Sequence, residues 1–256
     1  FILLMLIGTG MLTGTVVLVA QAHGAGEADS VGRIWQLALL DAALLGILAL
    51  VLLGGTEGFL RAAGQTPTIA AGGAGVAFQL GLGMPAMLGY VATTLVLEGL
   101  GRPRPGVVAI ALGNLANIPL NHLLIHGFPG FAPMGAAGAA LATSLVRWSM
   151  FLGLVAYVVT RPELRAFGVA AWHRPSAVLQ GKLLRLGVPF AVSQGLETSA
   201  FQGLTLLCGW LGPTALAAYQ ITLNVTALVF MATVGLATAT AVRVGRGTGA
   251  GEPWVA

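Results

Sequence analysis

The sequence predicts an all-α, polytopic membrane fold assembled from parallel repeats, and three observations carry that expectation. Hydrophobic residues make up 57% of the chain and charged residues 8%, with a mean hydropathy of +0.90. Seven apolar stretches are each long enough to cross about 30 Å of hydrocarbon as a helix. The stretch 10–27 also returns as 235–252, an offset of 225, with nine of eighteen positions identical. Roughly two would coincide by chance in so skewed a composition.

In lipid a segment must pair its own backbone N–H and C=O groups, so apolar runs of this length read as helices. The first runs near 1–20 and ends in the polar break 21–33; the second covers 34–53 and the third 69–98, separated by 54–68. The fourth, 106–127, opens after Gly99-Leu-Gly-Arg-Pro-Arg-Pro105, and the fifth, 135–160, after the break 128–134. The basic break 161–182 leads into the sixth, 183–211, and Leu211-Gly-Pro-Thr214 into the seventh, 215–242. Glycine and proline mark these breaks. Pro85, Pro119 and Pro189 fall within or near the start of spans, where each removes a backbone donor and can bend a helix. Small-residue runs such as Gly135-Ala-Ala-Gly-Ala-Ala140 let helix backbones approach closely.

The twelve Lys and Arg residues predict the orientation. Arg33, Arg102, Arg104, Arg161, Arg165, Arg174, Lys182, Arg243 and Arg246 fall in the breaks after the first, third, fifth and seventh spans, and only Arg61 in the others. By the positive-inside rule the stretches near 21–33, 99–105, 161–182 and 243–256 face the cytoplasm. The two copies of the repeat are then six crossings apart and run parallel. Parallel repeats about an axis along the membrane normal are one plan of secondary transporters, with the site near the midplane between halves.

A chain that begins at Phe1 inside an apolar run reads as a fragment of a protein with about two repeats. A cleaved signal peptide ending near Ala20-Gln-Ala22 is the competing reading. Recurrence of the stretch at the far end counts against it. The single Cys208 sits in an apolar run and reads as a buried hydrophobe. No P-loop is present, and His122 and His126 lack a third ligand at usable spacing. The composition points to a lipid bilayer as the surroundings, not to nucleic acid.

Glu197 is the leading site candidate because it lies fourteen residues from each edge of the span 183–211. A carboxylate at the bilayer centre costs about 2.5–3.5 kcal/mol, so it belongs on a cavity or against a partner. Helix packing through a hydrogen bond is its bland alternative. Asn117 and Asn121, four apart, share a helical face. They suit either Na⁺ or interhelical hydrogen bonding. Arg147, mid-span, requires an acid, and Asp41 or Glu98 is expected to supply it as a structural ion pair.

Taken in order, Ala20-Gln-Ala-His-Gly-Ala-Gly26, Leu97-Glu-Gly-Leu-Gly-Arg-Pro-Arg-Pro105, Asn117-Ile-Pro-Leu-Asn121, Gly135-Ala-Ala-Gly-Ala-Ala-Leu-Ala-Thr143, Leu186-Gly-Val-Pro189 with Glu197, and Ala217-Ala-Tyr-Gln-Ile221 running to Val242-Arg-Val-Gly245 resemble the multidrug and toxic-compound extrusion (MATE) transporters, in particular the bacterial NorM-like branch. The resemblance implies a twelve-helix, two-lobe transporter of the bacterial inner membrane, with this chain covering its second to eighth helices. Residues 1–175 would form the amino-terminal lobe without its first helix, and 176–256 the start of the carboxy-terminal lobe. It implies no enzymatic activity and no cofactor, but export of small organic cations against entry of H⁺ or Na⁺, by a protein monomeric when full length. By position, Glu197 resembles the seventh-helix acid of coupling and drug binding. Asn117 and Asn121 resemble the fifth-helix polar pair of a cation site, with Thr143 near it, and Gln220 a cavity residue of the eighth helix. Thr94 departs from the pattern, since many relatives carry Arg there. The family's first- and tenth-helix acids fall outside these 256 residues. A lipid or lipid-linked saccharide flippase of the wider superfamily, or a non-transporting remnant, is the alternative.

Overall fold

Helices form wherever hydropathy predicts them, and they run further than the apolar residues do. The structure, a computed structural model, describes residues 1–127, 130, 132–169, 171 and 176–252, and among these every regular element is helical. The first predicted span is two helices, α1 (Ile2–Leu12) and α2 (Gly14–Gly24). They are followed by α3 (Ala28–Gly54), a short α4 (Thr56–Ala62), and α5 (Pro67–Leu82) with α6 (Met84–Gly99), which share the third span. Then come α7 (Arg104–His126), α8 (Gly135–Thr160), the single turn α9 (Pro162–Arg165), α10 (Ala177–Trp210) and α11 (Pro213–Gly249).

Among the described residues six spans are long and apolar enough to cross a membrane, and the chain is a multi-pass membrane protein. The sixth predicted span, 183–211, now within α10, belongs to a helix 34 residues long that falls short of their hydropathy. Its middle carries Gln194, Glu197, Thr198 and Gln202. The breaks are also shorter than expected. Arg33, Lys182, Arg243 and Arg246 all lie inside helices, because backbone pairing continues into the interface after the apolar residues stop. Arg174 and the last four residues of the stretch 243–256 lie outside the described residues.

The prolines act unequally. Pro119 and Pro189 sit inside continuous helices, whereas Pro85 starts α6 just after the break at Gly83. Carbonyls near that break are satisfied from α8: Trp148 Nε1–H donates to Leu82 O at 3.0 Å, and Ser144 Oγ–H to Gln79 O. Pro85 also lies against Gly46 of α3, where a Cβ would stand 2.4 Å from Pro85 Cα.

The core belongs to α2, α3, α6 and α8. Val19, Val31, Ile34, Trp35, Leu97 and Val158 are among its buried members. Trp35 Nε1–H donates to Thr93 Oγ1 at 3.2 Å, and Thr93 passes its own proton to Gly89 O at 2.8 Å, so both buried polar groups are paired. Tyr90 O–H donates to Gly106 O at 2.8 Å and ties α6 to the start of α7.

α10 and α11 meet these helices at glycines. α10 lies on α1, where a Cβ on Gly187 would come within 2.0 Å of Met11 O and one on Gly10 within 2.8 Å of Ala191 Cα. α11 lies on α2, and here the two copies of the repeat touch each other reciprocally. A Cβ on Gly24 would be 2.2 Å from Arg246 O, and one on Gly249 would be 2.1 Å from Gln21 O. Gly24 and Gly249 are counterparts at the offset of 225, as are Gln21 and Arg246. A Cβ on Gly245 would lie 2.9 Å from that of its counterpart Ala20. Such exchange of partners is the signature of a two-fold contact between like surfaces, and it fits repeats that run parallel.

The shared Gly-Ala-Gly-Glu ending of the repeat has a local cause. Gly26 and Gly251 both have φ +74°. Glu27 N–H reaches back to Ala22 O, and Glu252 N–H to Gly247 O, each at 2.9 Å. Each copy therefore ends in the same glycine-dependent helix stop.

Candidate functional site

Glu197 stands on the inner side of α10, where a cavity of about 480 Å³ opens between α10, α11 and Leu6 of α1. Gln194, Glu197, Thr198, Phe201 and Gln202 line it at intervals of three and four residues, the repeat of one helical face. Tyr219, Thr222, Thr226 and Phe230 face it from α11 at the same period. Tyr219 O–H reaches across to Phe201 O at 3.4 Å, and Thr198, buried, donates to Gln194 O at 2.7 Å. The lining is otherwise apolar and aromatic.

Glu197 itself is half-buried and makes no hydrogen bond or ion pair with any described residue. A lone carboxylate beside Phe201, Tyr219 and Phe230 suits a cation with an apolar or aromatic body, through charge attraction and ring faces.

The other predicted residues are distributed differently. Asn121 Nδ2–H donates to Asn117 Oδ1 at 2.7 Å, so α7 does bring this pair together. Asn121 Oδ1 is buried with no partner among the described residues, and an amide oxygen is the type of ligand a hard cation takes. Thr143, half-buried on α8, donates to Ala139 O of its own helix at 3.0 Å. Gln220 is exposed and lies outside the cavity lining. Its carbonyl accepts from Asn224 Nδ2 at 2.8 Å.

The expected ion pair at Arg147 is not formed. Its guanidinium lies over the Phe1 ring, 5.0 Å from the centroid, with Nη1 buried and without a partner among the described residues. Asp41 instead accepts from Gln180 Nε2 at 2.6 Å, linking α3 to α10. Glu98, at the end of α6, forms no ion pair with a described residue. The neighbouring Gly99 O accepts from Arg246 Nη2 of α11 at 3.2 Å. Neither acid pairs with Arg147. Among the described residues no three His, Cys, Asp or Glu side chains gather as metal ligands, and His122 and His126 pack ring against ring at 4.9 Å.

Gln194, Gln202, Tyr219, Thr222 and Thr226 were missed by reading acids and amides one at a time. Their signal is periodic: polar side chains three to four apart on otherwise apolar helices mark a face that avoids lipid.

Residues 1–123 and 189–256 match the family model described as MatE. The probable multidrug resistance protein NorM of Caulobacter vibrioides is 39% identical over 249 residues, 95% of this chain and 52% of the relative. The multidrug resistance protein PmpM of Pseudomonas aeruginosa is 37% identical over 250 residues, 97% of this chain and 52% of the relative. The chain therefore spans about half the length of the curated relatives it matches. The crystal structure of a MATE protein in complex with MaD3S superposes with a TM-score of 0.85 at 22% identity, covering 98% of this chain and 56% of that one. The helical plan, the reciprocal repeat contact and the matched residues together place the chain in the MATE family.

Proposed function

We propose that the chain contributes to a secondary antiporter that exports cationic drugs or other toxic organic cations in exchange for H⁺ or Na⁺. The observation that carries this reading is the unpartnered Glu197 on an apolar, aromatic-lined cavity. One carboxylate cannot neutralise two cations at once. Loading of the coupling ion on Glu197 discharges the organic cation, and arrival of the organic cation expels the ion. Asn117 and Asn121 form a second polar locus, where Na⁺ would find amide oxygens. Residues 1–175 and 176–256 belong to successive lobes, and the contact of α2 with α11 closes the molecule between them at its arginine-rich, cytoplasmic end. The membrane is the bacterial inner membrane.

A lipid-linked saccharide flippase would need cations for phosphate. The cavity lining holds Glu197 and no Lys or Arg, which favours the cation exporter. Glu197→Gln in proteoliposomes of the full-length transporter should abolish drug-dependent ion movement while leaving expression and ligand-free stability intact. Undiminished exchange would sink the reading.

A further inference from the structure

A second cavity lies away from Glu197. It is a groove of about 600 Å³ between α7 and α8, walled by Val108, Leu112, Met150 and Leu154. Gly153 lies on it, and a Cβ there would meet nothing within 4 Å, so the groove is open. Val108 and Leu112 are exposed.

One end of the groove is charged. Arg104, the first residue of α7, lines it with Tyr157 of α8, and the Arg161 guanidinium lies over the Tyr157 ring at 5.2 Å. Neither arginine forms an ion pair among the described residues, and both are exposed. Two free guanidinium groups therefore stand at the mouth of an apolar trough. Contact with lipid tails alone selects no lipid, because tails are as apolar as leucine. Selectivity among lipids must come from shape and head-group charge, and both features are present here.

We infer that this groove is a binding site for an anionic phospholipid, with an acyl chain along α7 and α8 and the phosphate held by Arg104 and Arg161. Guanidinium groups suit this role because they stay charged and offer paired donors to phosphate oxygens. Tyr157 holds Arg161 toward the groove through its ring face. The site is independent of the transport reading, since none of these residues lines the Glu197 cavity.

Native mass spectrometry of the detergent-solubilised protein tests it, with phosphatidylglycerol and phosphatidylcholine of identical chains as probes. The native protein should retain phosphatidylglycerol preferentially. Arg104→Gln and Arg161→Gln should each lower that preference about fivefold, the weight of one basic residue near an anionic surface. Gly153→Leu keeps both charges, replaces a poor helix former, and fills the groove. It should lower retention of both lipids alike. Equal retention of the two lipids by the native protein, or undiminished phosphatidylglycerol on Gly153→Leu, overturns the assignment.

Discussion

The helices α1–α9 and the pair α10–α11 are built from the same apolar alphabet but held in different ways. In the most apolar part of the span Pro67–Gly99, 61% of residues are buried, against 6% in Pro213–Gly249. The first region has a core with paired buried polar groups at Trp35, Thr93 and Tyr90. The second leaves Trp210, Leu211 and Leu228 more than 70% exposed, and its firmest contacts are backbone to backbone at glycines. In lipid, burial of leucine is weakly rewarded, so close approach and hydrogen bonds decide which helices associate. The candidate site lies on the pair that is less buried within this chain.

If glycine contacts rather than burial hold α10–α11 in place, replacing glycine by alanine should change sign along the helices. At Gly24, Gly187 and Gly249 the new Cβ meets a backbone oxygen at 2.0–2.2 Å, and a carbonyl inside a helix cannot swing aside. Each change should destabilise by about 3 kcal/mol, the upper end of overpacking costs. Gly24→Ala with Gly249→Ala should cost less than the two singles added, because once α2 and α11 part, both clashes are relieved. At Gly209 and Gly235 a Cβ meets nothing within 4 Å, and alanine should stabilise by about 0.5–1 kcal/mol through backbone entropy. Thermal unfolding in detergent reads both signs. Destabilisation at Gly235 equal to that at Gly24 would break the distinction between the regions.

A smaller effect probes the core of the first region. Thr93→Val leaves Trp35 Nε1 buried without an acceptor and should cost about 1–3 kcal/mol. Thr240→Val, on exposed α11, removes only a hydroxyl bonded to Leu236 O of its own helix. It should stay within about 0.5 kcal/mol. Equal losses at the two threonines would mean that α11 is as tightly buried as α6, contrary to the structure.

How much could be read from the sequence follows from the same contrast. Hydropathy located the spans because lipid imposes one rule on every one of them. The span read at 183–211 falls short in α10 because Gln194, Glu197 and Gln202, which line a cavity, interrupt its apolar residues. The identity of Gly24 with Gly249 was visible as a repeat, but their touching was not, since pairing across a two-fold axis leaves no trace in spacing. The pairing expected of Arg147 failed for a related reason. Need for a counter-charge is legible in a sequence; which acid lies within reach depends on helix rotation. Gln180, unremarkable in the chain, takes Asp41.

The smallest expected effect lies at the surface of the first region. Arg102 Nη1 donates to Glu163 Oε2, joining the α6–α7 link to α9, with the two side chains 43% and 71% exposed. An ion pair in that setting contributes about 0–1 kcal/mol, because water already solvates both charges and two long side chains must be immobilised. Glu163→Gln should therefore shift unfolding by no more than that in dilute buffer. The difference should vanish near 1 M salt, where the screening length falls to about 3 Å. A loss of 2 kcal/mol or more that survives high salt would show that α9 is fixed through Glu163 as firmly as α2 is fixed through Gly24. The division between contacts of charge at the rim and contacts of backbone at the crossings would then have to be redrawn.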